Sequence, residues 1–203
     1  MKNIITIQHV QSEQHTNGMI GSWTDWGLTA LGKEHAENIG RNLSAELKGQ
    51  MWKMYSSDLL RARETAKPLA RFIGLEPIFT EALREINLGE ACGKSKAWAQ
   101  ERNKTPGFIS WDMDNKAFEG AESKRDLLRR LQDFHEQIMA VPEENLILVS
   151  HSFTLDIYLA MWLGLDMTVC GFHGSAGGVS FIHEDADGKH FMHRLNDKSY
   201  MTI

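Results

Sequence analysis

Two apolar runs in this chain end in histidine, TIQH at 6–9 and LVSH at 148–151. Each closes a continuous apolar stretch of the kind that forms a strand buried on both faces. In a sheet of parallel strands the ligand crevice lies beyond the carboxyl ends of the strands, so His9 and His151 are expected at one rim. The stretch MYSSDLLR places Arg61 just past a third strand end, and LREI places Glu85 after a fourth. Two imidazoles, a guanidinium and a carboxyl are equipment for phosphoryl chemistry. A neutral imidazole can attack phosphorus and become a phosphohistidine. The planar fork of an arginine can take two phosphate oxygens at once. A carboxylic acid of raised pKa can protonate the leaving oxygen. Catalysis of this kind is mostly positioning and electrostatic stabilisation, and the scheme calls for no metal ion and no other cofactor.

The elements that must position these groups follow from periodicity and punctuation. Residues 2–8 read as a central buried strand. The loop after it, VQSEQHTNGMIGSWTDWGL, has little periodicity, and a loop of about twenty residues in a compact domain is usually functional. Thr29 is a natural N-cap for a helix with apolar or small residues at 36, 39, 43 and 47. KMYSS at 53–57 reads as a strand, and Asp58 is the expected cap of the helix that follows. The inner face of that helix carries Ala62, Ala66, Leu69 and Ile73, and Gly74 is its natural stop. Pro68 inside it predicts a kink or a lost hydrogen bond. EPIF at 76–79 is a further short strand. Residues 86–119 are the least regular stretch and read as an insertion over the sheet edge. Within it Trp98 and Trp111 are candidates to line a substrate lid, with simple packing as the plainer reading. Leu127, Leu131, Phe134 and Ile138 mark another amphipathic helix, with the DLLRR charges on its solvated side. A strand at 145–151, a buried helix from about 153 to 163 and a β-hairpin turning near Asp187-Gly188 complete the chain. Such alternation predicts an α/β fold, a three-layer α/β/α sandwich around a mostly parallel sheet. It is expected as a single domain over 1–203 with a cap at about 86–119.

Composition narrows the class. The 203 residues carry a formal net charge of −5 and 42% apolar residues, with no block of lysine or arginine. That suggests neither a nucleic-acid nor an anionic-membrane partner. Two cysteines, Cys92 and Cys170, form no disulfide framework, so a reducing cytoplasm is the expected setting. The amino-terminal MKNIITIQH is too soon polar for a signal peptide. No apolar run approaches the ~18 residues of a membrane span. FTLDIYLAMWLGL is interrupted by Asp156 and reads as a buried helix. His183, His190 and His193 fall together on the hairpin, but their spacing fits no zinc pattern; they read as partly exposed strand residues.

The same blocks, in order, resemble the histidine phosphatase superfamily, also called phosphoglycerate mutase-like proteins. The family loop R-H-G-[EQ]-[ST]-x-x-N is similar to Gln8-His9-Val10-Gln11-Ser12 with His15 at the asparagine position. WTDWGLTALG at 23–32, SSDLLRARETA at 56–66, LREINLGEACGK at 83–94, FEGAES at 118–123, VSHSFTL at 149–155 and LND at 195–197 match further blocks. The resemblance implies a phosphoglycerate mutase-like fold. It implies His9 as the phosphate-accepting nucleophile, Arg61 as a phosphate ligand, Glu85 as proton donor and His151 as a donor to the phosphoryl oxygens. Ser12 would add a hydroxyl contact, and Gln8, His15 and Ser152 would line the substrate site. Four departures stand out, His15 for the asparagine among them. Gln8 replaces an arginine and removes a fixed positive charge. Val10 replaces a glycine and would force a different backbone path if that position needs positive φ. Ser152 replaces a glycine after the second histidine. A protonated His15 could restore part of the missing charge.

The expected function is hydrolysis of a small phosphomonoester through a phosphohistidine on His9, without metal. Nucleophile, second histidine, arginine and acid all persist, so the changes in the first loop point to altered substrate or pH preference. Two other readings fit the same residues. One is a protein that binds a phosphorylated ligand or partner without turning it over. The other is a mutase-like phosphotransferase. The identity of the ester and the oligomeric state are not written in these motifs.

Overall fold

The computed structural model describes residues 1–105 and 110–202. The strands are β1 (Lys2–Gln8), β2 (Trp52–Ser57), β3 (Ile78–Thr80), β4 (Asn145–Ser150), β5 (Val179–Glu184) and β6 (His190–Asp197). The α-helices are α1 (Ala30–Glu46), α2 (Leu60–Ile73), α3 (Lys96–Arg102), α4 (Lys124–Met139) and α5 (Ser152–Trp162). The six strands form one sheet in the order β3-β2-β4-β1-β5-β6. β1 and β2 each pair with β4 in parallel, and so does β2 with β3. β5 runs antiparallel to β1, and β6 to β5.

The period-2 alternation of side chains divides the core. Ile5, Ile7, Ile147 and Val149 face α1 and α2, where Leu43, Ala62, Ala66 and Leu69 meet them. Ile4, Leu146 and Leu148 face the other way, against Leu127, Leu131 and Phe134 of α4 and Ile157 and Tyr158 of α5. The result is the expected three-layer sandwich. The parallel register sets Gln8 beside Ser150, so β1 and β4 stop level and His9 and His151 leave the sheet together.

Several local expectations are met and two are corrected. The Thr29 hydroxyl accepts from Gly32 N–H at the start of α1, and Gly74 ends α2 in the left-handed region at φ 72°. α2 runs on through Pro68, whose missing N–H costs one bond to the preceding turn. Gly40 admits this stretch, since a Cβ there would lie 2.9 Å from Leu69 N. Asp58 does not cap α2. Its carboxylate takes the Arg84 fork, Nε to Oδ1 at 2.8 Å and Nη2 to Oδ2 at 2.6 Å. The first turn of α2 is capped instead from the long loop, where Asp25 Oδ1 accepts from Leu60 N–H at 2.8 Å. Nor are the DLLRR charges all solvated. Arg130 donates to the carbonyls of Ala82 and Arg84 and pairs with Glu122 at 2.9 Å, bracing the segment that carries Glu85.

The segment 86–119 contains α3 and packs Leu88, Ala91, Ala99, Met113 and Phe118 onto the α4–α5 side of the core. Residues 106–109 of it lie outside the described residues. Trp98 is a packing residue, its ring tilted against Phe118 at 6.0 Å and lying 4.0 Å under Arg102. Trp111 instead borders an open cleft. On the hairpin, His183 and His193 stack at 4.6 Å, and His190 lies on Trp162 at 4.2 Å. Among the described residues no three His, Cys, Asp or Glu side chains gather as a metal site would, and no helix is long and apolar enough to cross a membrane.

Candidate active site

The rim above β1 and β4 holds the two strand-end histidines with ring centroids 5.0 Å apart, and His15 stacks on His9 at 5.4 Å. His9 is 2% exposed, and its Nδ1 lies 2.8 Å from Val10 O. A carbonyl can only accept, so Nδ1 carries the proton and Nε2 keeps its lone pair. Burial, then the charge of Arg61, hold the His9 pKa well below the imidazole range. The ring is therefore neutral at physiological pH, with one nitrogen free to act as a nucleophile.

Val10 serves this arrangement without strain. It is not among the residues of positive φ, and its side chain is fully buried against the α1–α2 layer. The different backbone path that a valine could force is not needed. The loop is held from α1, where Gly32 is obligatory: a Cβ there would stand 1.9 Å from Gln11 O.

His151 is fully buried, with Nε2 2.8 Å from Ser57 Oγ and Nδ1 without a partner. Ser57 Oγ also accepts from Leu59 N–H at 3.3 Å. If the hydroxyl donates to Nε2, the imidazole proton sits on Nδ1 and a single buried donor awaits an acceptor. The opposite tautomer strands both the hydroxyl proton and the Nδ1 lone pair, which is the costlier arrangement. His151 is thus assigned as a neutral Nδ1–H donor. Its pKa is pushed down by burial and by Arg61.

Arg61, at the start of α2, is fully buried. Nη1 donates to Thr24 O at 2.8 Å and Nη2 to Ser22 O at 2.6 Å, while Nε has no partner. Its pKa falls to about 10 through burial, opposed by Glu85 and Asp25, and it stays charged at neutral pH. A guanidinium held by carbonyls, with donors unspent, is a made site for an anion. Ser22 holds it from a left-handed conformation (φ 44°), fixed by Ser22 Oγ donating to Ile86 O at 2.8 Å.

Glu85 lies against the first turn of α5, directly after His151. Oε1 accepts from Thr154 N–H at 3.1 Å and from Ile86 N–H at 3.0 Å, and Oε2 from Phe153 N–H at 3.4 Å. The carboxyl opens on a cleft of about 580 Å³ whose lining includes Ser152, Phe153, Asp156 and Trp111. Asp156 is 8% exposed, and burial raises its pKa to about 7.

The other expected contacts are placed differently. Ser12 is fully buried, and its main-chain N–H donates to His15 Nδ1 at 3.0 Å. That nitrogen is an acceptor and carries no proton. Partial burial, Arg61 and Lys96 also lower the His15 pKa, so His15 does not replace the missing charge. Gln8 is buried against Gly174, with Oε1 unpartnered and 2.6 Å from where a Cβ would stand on that residue. Asp156 Oδ1 faces the same point from 3.6 Å. Ser57, Ser22, Thr154 and Arg130 form the support that motif reading did not single out. Only the SSDLL block hinted at Ser57.

Known proteins resemble this chain in sequence and in fold. A family model described as the histidine phosphatase superfamily (branch 1) matches residues 4–198. A protein of Hydrogenobacter thermophilus named "Putative phosphoserine phosphatase 2" is 27% identical over 191 residues, 92% of each chain. A mycobacterial glucosyl-3-phosphoglycerate phosphatase superposes with a TM-score of 0.82 at 20% identity, over 97% of this chain and 99% of its own. An alpha-ribazole phosphatase from Shigella flexneri gives 0.82 at 20% identity, over 97% and 96%.

Proposed function

Since the chain belongs to the histidine phosphatase superfamily, we propose that it hydrolyses a small phosphomonoester through a phosphohistidine formed on His9 Nε2. The observation that carries this reading is the Nδ1 contact to Val10 O at 2.8 Å, which leaves Nε2 unprotonated beside a buried arginine with free donors.

In the first step the Nε2 lone pair attacks phosphorus, and the bond from phosphorus to the alkoxy oxygen breaks. Glu85, entering protonated, gives its proton to that oxygen, and the alcohol leaves into the cleft. Arg61 Nε–H and His151 Nδ1–H donate to the phosphoryl oxygens as charge moves onto them. In the second step the Glu85 carboxylate takes a proton from water, the oxygen attacks phosphorus and the N–P bond breaks. Phosphate is released with His9 neutral and Glu85 protonated again. No step is routed through a metal. Ser12 and His15 shape the loop under the nucleophile, and Ser152 borders the substrate, while Gln8 packs behind the site against Gly174. The segment 86–119 acts as the cap that sets specificity, by way of Trp111.

Phosphate release from a panel of phosphomonoesters between pH 5 and 8 tests the reading, with His9→Ala as control. Turnover abolished by His9→Ala is the expected result. Turnover that persists in His9→Ala overturns it. No turnover, with phosphate still bound, would support the binding-protein alternative.

A further inference from the structure

Among the described residues lining the cleft beside Glu85 there is one lysine, and it has no ion-pair partner. Lys124, the first residue of α4, is 7% exposed and lines this cleft. Its neighbours on the helix are matched: Arg125 with Asp114, Asp126 with Lys116, Arg130 with Glu122. Among the described residues no carboxylate lies within ion-pair distance of Lys124 Nζ. The ammonium rests 4.7 Å from the Trp111 ring centroid and 5.9 Å from that of Phe153. Aromatic faces recover part of the lost hydration of a cation. They do not satisfy its three donors.

An ammonium on a largely buried side chain with no anion beside it is held at a cost, and partial burial lowers the Lys124 pKa. Its position makes the cost useful. An alcohol departing toward Glu85 enters this cleft, between Phe153, Ile157 and Phe172. Any anionic substituent it carries meets Lys124. Among the described residues that line this space Lys124 is the one lysine or arginine, and its single charge balances a carboxylate but leaves a second, doubly charged phosphate half neutralised.

We propose that Lys124 binds a carboxylate on the leaving alcohol, so that the substrate is the phosphate ester of a carboxylated alcohol. This rests on the phosphomonoesterase reading above. Lys124 is then a specificity-determining residue supplied from the start of α4, flanked by Trp111 and Phe153.

Matched substrates isolate the carboxylate. 3-Phosphoglycerate against glycerol 3-phosphate is one pair, and O-phosphoserine against phosphoethanolamine is the other. The full chain, Lys124→Met and Lys124→Arg are compared by kcat/KM, with p-nitrophenyl phosphate as the ester that carries no carboxylate. A charge-assisted contact predicts a preference of about 10- to 100-fold for the carboxylated member of at least one pair. Lys124→Met should reduce that ratio at least tenfold, and Lys124→Arg should keep it. Equal rates within both pairs, or a preference that survives Lys124→Met, overturns the proposal while p-nitrophenyl phosphate turnover leaves the phosphatase reading standing. A bisphosphate preferred over both carboxylated esters, and dependent on Lys124, overturns the carboxylate assignment. If no ester is hydrolysed, the phosphatase reading fails. Calorimetric binding of the same pairs then decides Lys124: tighter binding of the carboxylated member, lost in Lys124→Met, upholds its role, and equal binding ends it.

Discussion

Asp156→Asn should stabilise this protein, and by an amount that grows with pH. The carboxyl is buried on α5 with one hydrogen bond, Gly174 N–H to Oδ1 at 3.2 Å. Burial, with Glu85 adding to it, raises its pKa from the usual 3.8 to about 7. Below pH 4 folded and unfolded chains both hold the proton, and there is no penalty. Between pH 4 and 7 the unfolded chain ionises while the folded chain keeps its proton, so stability falls as pH rises. Above pH 7 the penalty is complete, at about 4 kcal/mol. Asparagine keeps an oxygen for Gly174 N–H and cannot ionise. Any constant difference between the two side chains cancels when one pH is compared with another. From pH 5 to pH 8 the advantage of the variant should therefore grow by about 2–3 kcal/mol. In a chain of this length that corresponds to roughly 4–12 °C in Tm. Urea unfolding of both proteins at the two pH values gives the quantity directly. A difference that stays constant, or a wild type that gains on the variant toward pH 8, would mean that Asp156 is ionised and well solvated, and the reasoning from burial would be wrong.

Other expectations follow from the same geometry. Ser57→Ala should lower kcat about tenfold, the scale of one lost hydrogen bond, and shift the His151 tautomer seen by 15N NMR; Ser57→Thr should restore both. An unchanged tautomer would remove Ser57 from the positioning of His151. Arg61→Lys keeps a charge but loses the fork held by Ser22 O and Thr24 O, so kcat/KM should fall about 10²–10³-fold; a loss under threefold would show that charge alone suffices. Gln8→Arg brings a guanidinium to the Gly174 position that Asp156 also faces. It should tighten inhibition by inorganic phosphate about tenfold, as one charge-assisted hydrogen bond would, and lower the Asp156 titration seen in carboxyl 13C spectra. If neither moves, position 8 does not communicate with the phosphate site.

The sandwich was legible in the sequence because its strongest signals are local. Continuous apolar runs that end in TIQH and LVSH marked both the strands and the meeting of His9 with His151. The Gly74 stop and the Thr29 cap are set by residues within one turn of the helix end. What the sequence hid depends on partners far along the chain. Asp58 has the right type and place for a cap, but Arg84 offers it a two-pronged ion pair, and Asp25 reaches in from the long loop instead. Arg130 sits in a charged run, yet the carbonyls of 82 and 84 draw it inward. His15 reads as a possible cation until Ser12 N–H is found on its Nδ1. Val10 reads as an obstacle until its backbone proves ordinary. The support of Arg61 by Ser22 and Thr24 consists of main-chain carbonyls, which leave no mark on side-chain identity.

The central claim is a covalent phosphate on His9, and it has a direct measurement. The protein is mixed with a 32P-labelled phosphomonoester that it turns over, then quenched in alkali, where a phosphohistidine survives, and in acid, where it does not. The predicted result is label on the peptide that contains His9, lost in acid and absent from His9→Ala. Steady turnover with no alkali-stable label, or label on another residue in a His9→Ala protein that remains active, would contradict the account.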